Sequence, residues 1–168
     1  KDGLWAVLLW LNIIAERNES VDEIMRSHWR KHGRNYYSRH DYEAVPVDTA
    51  NALMAGLRDR LTTLPGRVVE GVAIESADDF AYLDPVDGSR SGGQGLRVIF
   101  SDGSRLVLRL SGTGTDGATI RLYLERYVAG PDGLNDDVQT ALAPMIRAAE
   151  ALAGVRAGTG RAGPDVVT

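Results

Sequence analysis

The sequence has 168 residues and 43% hydrophobic content, enough for one domain of ordinary size and some further structure. It contains no cysteine, which excludes a disulfide framework and any thiolate site. A net charge of −4 at pH 7 speaks against a general nucleic-acid-binding role.

Residues 4–15 (Leu-Trp-Ala-Val-Leu-Leu-Trp-Leu-Asn-Ile-Ile-Ala) are apolar all round, so as a helix they have no solvent face and need cover on several sides. A membrane span needs about 20 such residues, so this segment is too short. A signal peptide is also a poor fit, because Asp2 precedes the segment and no small-residue cleavage site follows it. The expectation is a buried helix of an α/β domain whose other elements lie upstream. A first residue that is Lys1 and not methionine agrees with a chain cut from a longer one. Ser20-Val-Asp-Glu23 is a capping box, and Gly33 closes the helix it opens. Arg26, Arg30, Lys31, Arg34 and Arg39, with His28, His32 and His40, make this neighbourhood basic. His28 and His32 share a helical face, as zinc ligands can, but no carboxylate or third ligand completes a pattern. A solvated basic face is expected there, and no metal.

Residues 36–45 read as an extended connector punctuated by Pro46, and a hinge is expected there. Asp48 then caps a helix whose apolar positions are Ala50, Leu53, Met54, Leu57, Leu61 and Leu64, ended by Pro65-Gly66. Residues 68–74 and 80–83 read as short strands, and residues 84–95 as a flexible loop. Residues 96–101 and 105–110 form a hairpin across Asp102-Gly103, and residues 118–127 alternate as a further strand. Asn135 starts a helical region with Val138, Leu142, Ile146, Ala149 and Leu152 on one side, which Pro144 kinks or divides. Residues 158–168 read as a loose tail. The fold class is α+β: a remnant of a preceding α/β domain in residues 1–39, then residues 40–168 as a domain with a mostly antiparallel sheet of about four or five strands and helices on one face.

The most informative stretch is Arg109-Leu-Ser-Gly-Thr-Gly-Thr-Asp-Gly-Ala-Thr-Ile-Arg121. Gly112, Gly114 and Gly117 free the backbone to turn sharply and gather N–H groups at one spot. Ser111, Thr113 and Thr115 add hydroxyls, and an arginine stands on each side. Such a set suits a phosphate, although a hairpin loop with two solvated arginines uses the same residue types. With Leu110 opposite Ala118, the leucines and Ile120 share one face. Arg109 and Arg121 then lie on the other as a diagonal pair about 7–8 Å apart. No lysine follows the last glycine, and a strand comes next, so the stretch is neither a Walker loop nor a dinucleotide fingerprint.

This run resembles the phosphate-binding loop in the last domain of phosphoglucomutases, members of the α-D-phosphohexomutase family. Lys1-Asp-Gly-Leu-Trp-Ala, His28-Trp-Arg-Lys-His-Gly-Arg-Asn, Asp41-Tyr-Glu, Asp84-Pro-Val-Asp-Gly-Ser, Gln94-Gly-Leu-Arg and Thr159-Gly-Arg resemble the C-terminal part of the same family, in order. The family's phosphoserine loop, aspartate-rich metal loop and Glu-Glu-Ser-Phe-Gly-type sugar loop have no counterpart, so the chain resembles a fragment. The resemblance implies a TATA-box-binding-protein-like fold for the second piece, a likeness of shape and not of DNA binding. It also implies interconversion of glucose 1-phosphate and glucose 6-phosphate through a phosphoserine and glucose 1,6-bisphosphate. Magnesium is the implied cofactor, with its ligands outside this chain. The implied site is Arg109, Ser111, Gly112, Thr113 and Arg121 on the non-reacting phosphate, with Lys1 matching a family lysine near the reacting one. The implied partners are the phosphosugar and upstream domains of the same chain, in the cytoplasm, with no nucleic acid and no membrane. Two other functions stay open: a catalytically inactive relative acting as a scaffold, and a free-standing phosphate-binding module. The intact loop speaks against the first, and the uncovered apolar helix against the second.

Overall fold

The computed structural model describes residues 2–114 and 117–168, with only the backbone of Thr113 and Gly114. The chain divides into two compact units: the residues up to Arg34 together with Val128–Asp136, and Asn35–Tyr127 together with Asp137–Thr168.

In the first unit, α1 (Gly3–Arg17) starts at Asp2, whose side chain accepts from the Trp5 amide at 3.0 Å. It stops at Asn18, which adopts the left-handed conformation (φ 49°). None of its residues is buried, and Leu4 is 80% exposed; only Ile13 and Ile14 are half-buried in a helix that the sequence marks for burial. α2 (Val21–His32) forms its capping box in full. The Glu23 amide donates to Ser20 Oγ, and the Ser20 amide donates to Glu23 Oε2 at 2.8 Å. Arg34 lies 4.0 Å over the Trp29 ring and donates to the Leu134 carbonyl at 2.7 Å, tying the second segment of the unit to the end of α2. The His28 and His32 rings are 4.7 Å apart, and no group of three metal-ligating side chains occurs among the described residues.

The second unit begins with a correction. Residues 36–45 are not an extended connector but most of β1 (Arg34–Val45), a full strand of the sheet. Its alternation is masked in the sequence because the inward side chains include polar ones. Ser38 and His40 are buried with Tyr36 and Tyr42. His40, expected on a solvated basic face, instead hydrogen-bonds Gln139 at 2.9 Å, and Gln139 in turn donates to Ser38 Oγ at 3.0 Å. A buried polar group needs such partners.

α3 (Val47–Arg58) starts after Pro46 without a side-chain cap, so Asp48 sits in its first turn and does not cap it. β2 (Val68–Val69) and β3 (Val72–Asp79) replace one expected strand. Glu70 and Gly71 both take positive φ (51° and 81°), and that pair makes a tight hairpin turn. β4 (Tyr82–Leu83), within the expected strand 80–83, pairs with β5 (Arg90–Ser91), which lies in the stretch expected to be loop. β6 (Leu96–Phe100) and β7 (Arg105–Gly114) form the hairpin across Asp102-Gly103, where Asp102 Oδ1 accepts from the Ser104 amide at 2.9 Å. β8 (Gly117–Val128) follows.

α4 (Val138–Ala153) is capped by Asp137, two residues after the expected Asn135. It runs through Pro144 unbroken, although proline costs about 3 kcal/mol in a helix interior. Its buried stripe of Leu142, Met145, Ala149 and Leu152 holds it on course, and Ile146 falls off that stripe. α5 (Val155–Thr159) and β9 (Val166–Val167) order much of the expected loose tail, because β9 pairs with β1 (His40 opposite Val167).

The sheet has seven strands in the order β2-β3-β6-β7-β8-β1-β9, more than the four or five expected. All strand pairings with a resolved register are antiparallel. β1 and β8 also run in opposite directions, since Gly117 abuts Ala44 and Val45 while Arg121 reaches back to Asp41. One face carries Leu96, Val98, Leu106, Leu108 and Leu122, packed with Leu57 of α3 and Ala149 and Leu152 of α4 around a void of only ≈ 10 Å³. The fold is α+β with helices on the buried face of an antiparallel sheet, as the apolar pattern implies.

Candidate phosphate site

The other face of the sheet holds the arginines. β7 and β8 pair with Arg109 directly opposite Arg121, Leu110 opposite Ile120 and Leu108 opposite Leu122. The expected register lies two residues away. An even shift keeps every side chain on its face, so the leucines remain inside and the arginines outside. The correction brings the two guanidinium-bearing residues from a diagonal to an opposed pair.

The reason is that the strands extend into the glycine-rich run. Ser111 pairs with Thr119, the register shifts, and Thr113 then pairs with Ala118 and Gly114 with Gly117. Gly112 is the extra residue of this bulge, at φ 64°, a conformation that a side chain disfavours. What reads as a seven-residue loop is therefore a bulged hairpin. By strand alternation Ser111 and Thr119 share the face of Arg109 and Arg121. Lys1 and Thr115 lie outside the described residues, and the Thr113 side chain does too.

The arginines on this face differ in their partners. Arg105 pairs with Glu125 at 2.5 Å, directly across the hairpin. Arg97 makes two bonds to Asp78, at 3.0 and 2.6 Å, which hold its guanidinium above the ordinary arginine value. Arg58, on α3 and not on this face, is held by Asp79 at 2.9 Å. Arg109 is exposed and has no carboxylate partner among the described residues. Its stem lies across Gly95: a Cβ added there would stand 2.7 Å from Arg109 Cγ. The two residues line an open cleft of ≈ 380 Å³ with Asn51, Met54, Arg58 and Gly93. Arg121 is only part-exposed, and its Nε lies 3.7 Å from Oδ2 of the buried Asp41, whose Oδ1 accepts from Arg39 Nε at 2.9 Å. Arg39 and Arg121 thus share one carboxylate while Arg109 has none, and among the described residues a positive excess remains around Arg109 and Arg121.

Asp41 and Gly95 stand against Arg121 and Arg109, a proximity that the loop motif does not reveal. The signal for Asp41 is its spacing: two residues from Arg39 on an alternating strand, both on one face. Gly95 is legible only once Arg109 is placed opposite it.

Such a face can hold a dianion. Guanidinium groups bind phosphate oxygens in pairs of parallel hydrogen bonds, and hydroxyls at Ser111 and Thr119 are within the same row.

Known proteins share this arrangement of sequence. The family model of the phosphoglucomutase-1 C-terminal domain matches residues 34–165, and that of phosphoglucomutase/phosphomannomutase alpha/beta/alpha domain III matches residues 1–32. A phosphoglucomutase of Rhizobium radiobacter is 56% identical over 168 residues, covering 100% of this chain and 31% of the relative. Phosphoglucomutase-1 of Homo sapiens is 48% identical over 174 residues, again covering 100% of this chain and 31% of the relative. The crystal structure of the exocytosis-sensitive phosphoprotein pp63/parafusin, a phosphoglucomutase from Paramecium in its open form, matches with a TM-score of 0.87 and 42% identity. That match covers 100% of this chain and 29% of the other. This chain spans 31% of the length of those curated relatives, and it belongs to the phosphoglucomutase family.

Proposed function

We propose that this chain is the phosphate-holding C-terminal portion of a phosphoglucomutase. That enzyme would interconvert glucose 1-phosphate and glucose 6-phosphate through a phosphoserine and glucose 1,6-bisphosphate. The observation that carries this reading is the opposed pair Arg109 and Arg121 beside the Gly112 bulge, on a face where the neighbouring Arg97 and Arg105 are neutralised by carboxylates.

In such a reaction one phosphate reacts while the other is held. Arg109 and Arg121 grip the held phosphate, with Ser111, Gly112 and Thr113 supplying hydroxyl and backbone donors. Binding energy at this remote group orients the sugar at the reacting centre and so raises the rate. The intermediate has to turn round, so the grip accepts a phosphate on either carbon; guanidinium forks and backbone amides do so because they read phosphate oxygens and ignore the sugar. Lys1 would stand near the reacting phosphate. Magnesium would supply charge stabilisation at the transferred phosphoryl group, and the described residues offer no ligand set for it.

Hydrogen bonds to charged groups contribute about 1.5–3 kcal/mol each, and exposure to water lowers that figure. The 168-residue chain should bind inorganic phosphate or glucose 6-phosphate near the millimolar range, about 4 kcal/mol. It should show no mutase turnover alone. The test is a phosphate titration followed by amide chemical shifts. Shifts at Ser111 and Arg121 support the reading; shifts confined to α2 and Arg34 defeat it.

A further inference from the structure

We infer that Asp41 is a positioning residue for the phosphate grip: it fixes the inner edge of the Arg121 guanidinium so that its outer edge faces the ligand. The inference rests on the phosphate-holding role proposed above and adds a residue to it.

Asp41 sits on β1, alongside β8, with its side chain only 4% exposed. A buried carboxylate is costly unless charged and hydrogen-bonding partners surround it. Its partners are both arginines. Arg39 Nε donates to Oδ1 at 2.9 Å, and Arg121 Nε faces Oδ2 at 3.7 Å. That second distance is too long for a hydrogen bond, and Arg121 Nε is buried with no hydrogen-bond partner. The side chain as a whole is 38% exposed, so its exposure belongs to atoms other than Nε.

A guanidinium is planar, with five N–H groups in a fixed fork. When the Nε–H is turned to a buried anion, one terminal nitrogen keeps an N–H on that side, and the end edge formed by the two terminal nitrogens is directed away from it. That end edge presents two parallel N–H groups and is left to bond phosphate oxygens. Arg39 holds the other carboxylate oxygen and keeps Asp41 from rotating onto Arg121 alone. Arg109 has no such carboxylate among the described residues and is aimed instead by the strand and by Gly95 beneath it.

Charge and orientation make opposite forecasts for Asp41→Asn. Removing a negative charge beside an anion site strengthens phosphate binding if only the summed potential matters. Removing the anchor of Arg121 weakens it if orientation matters. We expect weakening of at least about fivefold.

The experiment titrates inorganic phosphate into the full 168-residue chain and its variants, read by backbone amides and by the Arg121 Nε–H resonance. In the unsubstituted chain that proton should exchange more slowly than the Nε–H of Arg109. This measurement needs no variant to fold. In Asp41→Asn it should exchange as fast as that of Arg109, and the phosphate affinity should fall. In an Arg121→Gln background, Asp41→Asn should have no further effect on binding, because its action passes through Arg121.

If the unsubstituted chain binds phosphate at the hairpin and Asp41→Asn binds as well or better, the positioning role is overturned while the phosphate reading stands. Equal exchange of the two Nε protons in the unsubstituted chain also overturns it. If the unsubstituted chain shows no shift at the hairpin, the phosphate reading fails, and the positioning role falls with it.

Discussion

α1 and the paired strands β6 to β8 are both built from leucine, isoleucine, valine and aromatic side chains, yet Leu8 on α1 is 60% exposed and Leu108 on β7 is 2% exposed. The sheet places its apolar residues at every second position, so one face collects them all and α3 and α4 cover it. α1 spreads its apolar residues around the whole cylinder, and no single neighbour can cover them. The same contrast holds for charge. The first unit carries its basic residues along α2, whereas the second sets Arg109 against Arg121 and neutralises the arginines around them. A folded core and an organised charge arrangement thus occur in the same unit.

The largest expected effect tests the core half of that contrast. Leu142→Ala, at a fully buried position of α4, should lower the unfolding free energy by about 2–5 kcal/mol, read from urea midpoints. Leu8→Ala on α1 should change it by less than about 0.5 kcal/mol. Equal losses from the two would mean that α1 is covered, and the comparison would collapse.

Phosphate binding tests the charge half. Arg121→Ala should weaken binding of inorganic phosphate by about tenfold, in line with loss of a charge-assisted hydrogen bond. Arg30→Ala on the basic helix and Arg105→Ala on β7 remove the same charge and should each change it by less than about twofold, as for a screened surface charge. A larger loss from Arg30→Ala would move the anion site to α2.

A subtler change sharpens the same point without altering charge. Gly95 has φ 144°, and an added Cβ would meet Arg109 Cγ at 2.7 Å and the Leu108 carbonyl at 3.2 Å. Gly95→Ala should therefore displace the Arg109 stem and weaken phosphate binding a few-fold, about 1 kcal/mol or less. Titration calorimetry would measure it. Unchanged affinity would show that Arg109 does not need its support.

Much of this arrangement is legible in the residues, and the exceptions share a cause. The capping box at Ser20, the Asp102-Gly103 hairpin and the inward leucines of β7 and β8 are local patterns of period 2 or 3.6, and they lie where the sequence puts them. β1 is not legible as a strand because its inward positions include Ser38 and His40, which only their long-range partners Gln139 and Thr168 make buriable. β9 depends on pairing with β1, a contact more than a hundred residues away in sequence. At the site, the arginine motif is visible but its register is not, since the bulge at Gly112 adds a residue that spacing alone does not count. Asp41 and Gly95 become partners of the arginines only across strands.

The smallest expected effect compares the helix caps of the two units under acid. Hydrogen bonds from the Ser20 hydroxyl and backbone hold the Glu23 carboxyl of α2 below its ordinary 4.5. The Thr140 amide, followed by the Thr140 hydroxyl, holds the Asp137 carboxyl of α4 below its ordinary 3.8. For a carboxyl lowered in the folded state, the stabilisation is present above the unfolded value and is lost as pH falls through the folded one. Both caps should therefore weaken below about pH 4. Asparagine caps nearly as well as aspartate but does not titrate, so Asp137→Asn should remove part of the acid-side fall in stability while changing little at neutral pH. The unfolding of the sheet unit should report this, because α4 is part of its core. In the first unit Glu23→Gln should alter only the local exchange of the α2 amides, since no large core there couples the cap to global unfolding. If Glu23→Gln shifts the global urea midpoint as much as Asp137→Asn does, the two units unfold as one, and the contrast between them is not one of stability.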